Sequence, residues 1–298
     1  MKRKIFIFIG VLLAIYIVLT LLDQGEYRIE KQLWRMREKY NAVVKDPKAV
    51  PDAQFEAVIL GYAKLIKRYP DSSYIPQMYS SIGSLYAINK RYEDARKTFG
   101  QIVATFADDP TVVSKAMMDI GATYQAEGKQ QKAIDVYNRI WEKYGKTEIG
   151  FMMPLYMAGI YRQSGDAAQV ASYLAKAEAF YRQIAGDKEN SDSLRLNGCQ
   201  ALATTQMSQQ NFSGALQTLK TALYDFADSS EMNPKRLSAV TRLLNIVLIG
   251  QMRDFDKAES FYRDFITTHP GHRLNPYLEK VIESVKVLKE KNQTPVAP

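Results

Sequence analysis

Gly83, Gly121 and Gly159 recur at an interval of 38 residues, and Ala95, Ala133 and Ala171 repeat that interval twelve residues further on. A fixed period in the range of roughly 20 to 50 residues arises when one supersecondary unit is copied and stacked, because a single copy cannot bury its own apolar face. The chain is therefore expected to be an all-α solenoid. Proteins of that class hold partners rather than transform substrates, and the repeat itself does not name the partner.

One unit shows what the spacing does. Tyr79, Ile82, Gly83 and Tyr86 fall at i, i+3, i+4 and i+7, the stripe of one helical face. After a break at Asn89-Lys90-Arg91, Tyr92, Ala95, Phe99, Ile102 and Phe106 continue at intervals of three and four, which predicts a second amphipathic helix after a short turn. The small residues are expected to face each other where the two helices cross, since a larger side chain would push the axes apart. The next unit repeats the logic with Met117, Ile120, Gly121 and Tyr124, then Gly128 in the turn, then Ala133, Tyr137 and Ile140.

On these residues the chain resembles the tetratricopeptide repeat family, whose pattern runs from a large apolar residue through Leu-Gly and Tyr to Ala, an aromatic, Ala and a closing Pro. Ile82-Gly83 with Tyr86, Ala95 and Phe99, and Ile120-Gly121 with Tyr124, Ala133 and Tyr137, carry the match. Gly159 and Ala171 keep the period, with the aromatic one place early at Tyr161 and Leu174 in place of the second ring. Ala203, Ala215, Leu219 and Ala222 form a weaker copy, and Gly250, Ala258, Tyr262, Phe265 and Pro270 a last one that is good only in its second helix. Val58, Tyr62, Leu65 and Pro70 read as a second helix with an unusual first. The resemblance spans residues 52 to 270 and implies a right-handed α-solenoid of five repeats and a degenerate leading half. Ala171 to Ala215 and Ala215 to Ala258 measure 44 and 43 residues, and the polar segments 186–192 and 228–234 are expected to take up the excess as longer loops.

The junction Lys67-Arg68-Tyr69-Pro70-Asp71-Ser72-Ser73-Tyr74 has weaker echoes at residues 226–230 and 269–272. Pro is expected to end one helix there, and Asp or Ser to cap the next. Such junctions are similar to those of bacterial membrane-anchored periplasmic members of the family, including the outer-membrane barrel-assembly lipoprotein and the tetratricopeptide protein associated with Tol-Pal. The resemblance implies a scaffold in the periplasm. The lipid-attachment cysteine of the first is absent, because Cys199 is the only cysteine.

Ile5 to Leu22 is an uncharged, almost wholly apolar run of 18 residues, nearly long enough as a helix to cross a hydrocarbon core of about 30 Å. Residues 18–23 offer no Ala-x-Ala-like site, which favours an uncleaved transmembrane anchor over a signal peptide. Lys2, Arg3 and Lys4 precede the run and are expected to stay in the cytoplasm, which sends the repeats to the periplasmic side of the bacterial inner membrane. Arg28, Lys31, Arg35, Arg37 and Lys39 flank the other end, so charge bias alone does not set the orientation. The expected organisation is a cytoplasmic tail at 1–4, an anchor at 5–22, a juxtamembrane amphipathic helix at 23–46, the solenoid at 52–290 and a frayed tail at 291–298.

The net charge of +8 raises the question of nucleic acid, and its placement answers it. Residues 1–45 carry nine Lys or Arg against four Asp or Glu, a balance of +5, which leaves +3 for the rest of the chain. The repeats are near neutral and their aromatics fall mostly at packing positions, so no nucleic-acid partner is expected. The excess lies beside the membrane, where Arg28, Lys31, Arg35 and Lys39 form a basic stripe next to an apolar one of Ile29, Leu33, Met36, Tyr40 and Val43. That edge is either solvated, on a helix packed against the first repeat, or in contact with anionic headgroups.

Catalytic motifs are missing from the sequence. His269 and His272 flank a Pro-Gly turn, Asp108-Asp109 sits where a helix cap belongs, and no phosphate loop, nucleophile elbow or zinc-helix motif occurs. No enzyme, cofactor or metal site is expected. Cys199 between Leu196 and Leu202 reads as a small buried residue rather than a reactive thiol.

The family resemblance implies that first helices line a concave groove. Carried onto this chain, the groove positions are Gln77, Ser80 and Ser84, then Lys115, Met118 and Gln125, then Tyr156 and Gln163, then Asn197, Gln200 and Thr204. The Lys, Asn and Arg clamp by which chaperone-tail binders of the family hold a terminal carboxylate is absent. Amides, hydroxyls and an occasional Met or Tyr suit an extended or helical peptide. The expected function is a membrane-anchored scaffold for protein-protein interaction in the cell envelope, the alternative being an accessory subunit that docks a membrane enzyme complex such as polysaccharide synthesis or secretion.

Overall fold

The computed structural model describes residues 12, 13 and 28–293. The apolar run 5–22 lies outside them apart from Leu12 and Leu13, both helical and exposed, and so do the basic residues before it and the tail from Thr294 on. No described helix is long and apolar enough to cross a membrane. Among the described residues there is no strand.

The helices follow one another as α1 (described over 28–45), α2 (Asp52–Arg68), α3 (Ile75–Ile88), α4 (Tyr92–Thr105), α5 (Pro110–Ala126), α6 (Gln130–Tyr144) and α7 (Glu148–Gln163). Then come α8 (Ala167–Gly186), α9 (Asp192–Ser208), α10 (Phe212–Asp225), α11 (Pro234–Asn245), α12 (Phe255–Thr268) and α13 (Asn275–Gln293). The chain forms two compact units that divide between Met153 and Pro154, inside α7. α13 continues to Gln293, into the segment expected to fray.

The pairs are joined by one recurring turn. Lys90, Gly128, Gly165, Gln210 and Arg253 all have φ between 52° and 78°, and each stands immediately before the residue that precedes a second helix. In four of the turns the following amide donates to a carbonyl five residues back, Arg91 to Tyr86, Lys129 to Tyr124, Asp166 to Tyr161 and Asn211 to Gln206, at 2.8 to 3.0 Å. This is the Schellman closure of a helix end, which needs a left-handed residue. Glycine meets that need without strain, whereas Lys90, Gln210 and Arg253 adopt the same conformation against their side chains. In the last turn the amide of Asp254 reaches one residue further back, to Leu248. A π-helix over Ile246–Gln251 absorbs that extra residue.

These turns set the true register of the repeats. Gly83 and Gly121 stand seven residues before the turn residue, and the ring of Phe99 or Tyr137 stands nine after it. A Cβ added at either glycine would overlap that ring, so the glycine faces the aromatic of the second helix and not the alanine four residues earlier, as the crossing argument expected. From Gly128 to Gly165 the interval is 37. The register therefore slips by one, and the small packing position in α7 is Ala158, which is 1% exposed. Gly159 meets nothing within 4 Å of an added Cβ, and Ala171 is exposed, so neither performs the packing role that the 38-residue count assigns. The same slip accounts for Tyr161 standing one place early. Gly159→Ala should therefore stabilise the protein by about 0.5 to 1 kcal/mol through helix propensity, measured as a rise in melting temperature. A loss of stability would show that the 38-residue register was right after all.

Each core is assembled from these positions. In the first unit Ile29, Met36 and Val43 of α1 pack with Phe55, Val58, Tyr62 and Leu65 of α2 and with Ile75, Met78, Ile82 and Leu85 of α3. α1 is thus the first helix of the leading pair. Its close approach is made by Gly61 of α2 beneath Met36, the reverse of the later pairs, and this is why the leading repeat is so faint in the sequence. Phe99, Ile102 and Ala95 of α4 continue the core onto Ala116 of α5. In the second unit an apolar cluster runs from Leu196 to Val285.

The first insertion falls differently from the expectation, and the second as expected. α8 is 20 residues long against 15 in α6, because Leu174, Ala177, Tyr181 and Ile184 carry the buried stripe a further turn. Most of the first insertion is helix rather than loop. The second is a loop between α10 and α11, and Phe226, Ala227 and Met232 in it are buried. At the Tyr-Pro-Asp-Ser junction neither Asp71 nor Ser72 caps α3. Tyr74 holds the cap position without a side-chain bond, and Ser72 Oγ accepts only from the Tyr74 amide at 3.2 Å. Pro76 in the first turn has no amide to satisfy, which lowers the demand for a cap. Asp109, by contrast, caps α5 by accepting from Thr111 and Val112 at 2.9 and 3.0 Å.

Candidate partner-binding face

The groove positions read from the sequence lie on the first helices of the pairs, and within each helix they share one side. In the first unit Gln77 and Lys115 are exposed, while Ser80, Ser84, Met118 and Gln125 are half-buried. In the second unit Gln163 and Asn197 are exposed, and Tyr156, Gln200 and Thr204 are half-buried. None is fully buried. Gln125 and Thr204 are partly committed internally, since Gln125 Oε1 accepts from the Tyr137 hydroxyl at 2.5 Å and Thr204 Oγ1 donates to the Gln200 carbonyl at 2.8 Å. The first bond holds the ring that packs under Gly121.

The 38-residue count missed three residues of this face. Met152, 51% exposed, stands thirteen residues before its turn residue, as Gln77, Lys115 and Asn197 stand before theirs. The 37-residue interval could have revealed it. Asp119, half-buried on α5 one turn beyond Lys115, is a carboxyl pushed up to about 6 by burial, against the opposing pull of Lys115. The third is Trp34, which is 62% exposed on α1. A cavity of about 490 Å³ opens beside it between α1 and the start of α3, lined by Glu30, Lys31, Leu33, Arg37, Tyr74 and the predicted groove residue Gln77.

α1 is held in place at both ends of the α2–α3 junction. Gln32 Nε2 donates to the Tyr69 hydroxyl at 3.0 Å, and the Tyr74 hydroxyl donates to Glu30 Oε1 at 2.9 Å. Arg28, Lys31, Arg35 and Lys39 remain exposed, open to water or to headgroups alike. Further along, Arg91 stacks on Tyr86 and Arg96 on Tyr124, each 4.4 Å from the ring centre. These tyrosines are half-buried under guanidinium groups rather than sealed in the core where the repeat pattern put them. Arg96 also donates to Glu127 at 2.7 Å and so ties α4 to the end of α5.

The remaining chemistry-bearing residues are structural. The His269 ring stacks on Phe265 at 4.5 Å, and His272 Nδ1 accepts from the Leu274 amide at 3.1 Å while Nε2 contacts the Ala227 carbonyl at 3.0 Å. This network assigns the Nε2-protonated tautomer to His272. Burial pushes the Cys199 thiol up to about 11, which suppresses the thiolate that reactivity needs. Among the described residues no group of three or more His, Cys, Asp or Glu is placed to hold a metal.

A family model described as 26S proteasome subunit RPN7 matches residues 110–252, a little under half of the chain. No curated protein matches. Among solved structures, BtubC (BKLC) from P. vanneervenii is 14% identical over 92% of this chain and 94% of its own, with a TM-score of 0.39. The APC/C hetero-tetramer Cut9-Hcn1 is 14% identical over 87% of this chain and 47% of its own, at 0.37. A putative protein binding protein from Bacteroides ovatus ATCC 8483 is 14% identical over 72% of this chain and 98% of its own, at 0.27.

Proposed function

We propose that the chain is a non-catalytic scaffold, anchored through residues 5–22 in the inner membrane of a bacterium, with its tetratricopeptide-like repeats in the periplasm. It recruits a peptide or partner protein along the first-helix face. The observation that carries this reading is the set of exposed or half-buried polar and thioether side chains at matching positions of the first helices α3, α5 and α9, Gln77 and Ser80, Lys115 and Met118, and Asn197 and Gln200. Residues of this kind cost little to desolvate and present hydrogen bonds to a main chain, which suits recognition of an extended or helical segment. The partial match to a proteasome-subunit family supports a place in a larger assembly.

The membrane half of the proposal rests on the apolar run and the three basic residues before it. Arg28, Arg35 and Lys39 of α1, outside the lining of the cavity beside Trp34, would then meet anionic headgroups, at about 1 kcal/mol for each residue near the surface.

The test is made in cells. A photo-crosslinker at Met118 or Thr204 should trap one discrete partner band, while the same probe at exposed Arg139 on the second helix α6 should trap none. In spheroplasts, added protease should remove the repeats while the inner membrane is intact. Equal crosslinking at Arg139, or digestion only after the inner membrane is lysed, would count against the reading.

A further inference from the structure

We infer that the cavity beside Trp34 is a docking pocket for an acidic segment of a partner protein, one that carries a large apolar residue between carboxylates. The inference rests on the scaffold reading and names the chemistry of the segment it would hold.

The pocket combines two features. Its floor is aromatic and aliphatic, with Trp34 62% exposed beside Leu33 and Tyr74, in a space of about 490 Å³ that suits one large side chain. Aromatic side chains exposed at a concavity are the residues on which interface energy concentrates. Its rim is basic. α1 carries Arg28, Lys31, Arg35, Arg37, Lys39 and Lys45 against Glu30 and Glu38, all exposed. Among the described residues Lys31, Arg35 and Arg37 make no ion pair, while Glu30, which also lines the pocket, keeps its charge as it accepts from the Tyr74 hydroxyl. Lys31 and Arg37 outnumber that one carboxylate in the lining, so a net positive charge stands at the mouth of an apolar cavity, the complement of an acidic peptide with one apolar anchor. Gln77 supplies an amide at the far wall, where the predicted groove begins.

A membrane surface is the competing occupant, because α1 follows the apolar run closely. The shape favours the peptide: Trp34 opens sideways onto α3, into a cavity walled by two helices, where a planar headgroup layer has no segment to insert. The Gln77 amide at that wall matches a main chain rather than acyl tails.

The full-length chain in zwitterionic nanodiscs tests this with three labelled peptides read by fluorescence anisotropy. One is rich in Asp and Glu around a central Leu-Phe pair, one has Ser in place of that pair, and one has Lys in place of the acids. The first should bind about tenfold more tightly than either control. Trp34→Ala and Arg37→Glu should each cost about tenfold, Trp34→Phe should keep most of the affinity, and raising salt from about 50 to about 300 mM should weaken binding. Because Trp34 is exposed, an unchanged melting curve should accompany the Trp34→Ala loss. Equal binding of the three peptides, or an unchanged affinity in Trp34→Ala, overturns the inference. So does protection of Trp34 from acrylamide quenching by anionic nanodiscs with no peptide present, which would assign the pocket to lipid. Crosslinks at Met118 and Thr204 report separately on the scaffold, so either reading can fail while the other stands.

Discussion

Gly121→Leu should destabilise the protein by about 3 kcal/mol, and Gly83→Leu by a similar amount, read as a drop in the chemical denaturation midpoint with little change in slope. An added Cβ at Gly121 overlaps the ring of Tyr137, and at Gly83 the ring of Phe99. Neither ring can move aside. Tyr137 is fully buried and held by Gln125, and Phe99 is 2% exposed within the core that joins α4 to α5. Relief would require the two helices of the pair to separate, which strips contacts from a close-packed interior. Gly100, with nothing within 4 Å of an added Cβ, is the control, and Gly100→Ala should stabilise by about 0.5 to 1 kcal/mol, as at Gly159. Equal losses at Gly100 and Gly121 would show that the glycines matter for backbone freedom and not for helix approach.

Asp119→Asn should raise stability by about 2 kcal/mol at pH 7 and have little effect near pH 4. Burial raises this carboxyl from 3.8 to about 6 in the folded chain, with Lys115 only partly offsetting it. Below the unfolded value both states hold the proton, and burial costs nothing. As pH rises from 3.8 to about 6 the unfolded chain releases its proton first, so stability falls, and above that window the full penalty of a desolvated charge is present. Asparagine keeps the shape and removes the titration. Thermal melts across this range decide the matter, and a gain of equal size at both ends would show that burial of the charge is not its source. A residue that lowers stability on the face proposed to bind a partner is the pattern expected where function and folding compete.

The two repeats that could be read best, around Gly83 and Gly121, are those whose turn-to-turn interval is 38 and whose small residue is a glycine under a ring. There, period and packing coincide. At α7 they separate by one residue, and the count carried straight past Ala158 to Gly159 and past Met152 as a face residue. The turn is the better ruler, because its left-handed residue and the amide that closes on the helix end are fixed by backbone geometry and tolerate Lys, Gln or Arg in place of Gly. Sequence inspection sees only the glycines.

The helical periodicity of the chain determined by itself that the fold would be paired helices, since apolar residues at three- and four-residue intervals can be buried only by another helix. The chemistry of the candidate face was equally legible as a list of amides and hydroxyls. Tertiary structure alone decided that 28–45 would serve as the first helix of the leading pair, with Met36 over Gly61, because that contact inverts the small-residue rule of the later pairs. It also decided that Trp34 would stand open beside Gln77, because exposure depends on what a neighbouring helix leaves uncovered, and residues 43 apart in the chain share a cavity only when α1 and α3 are packed side by side.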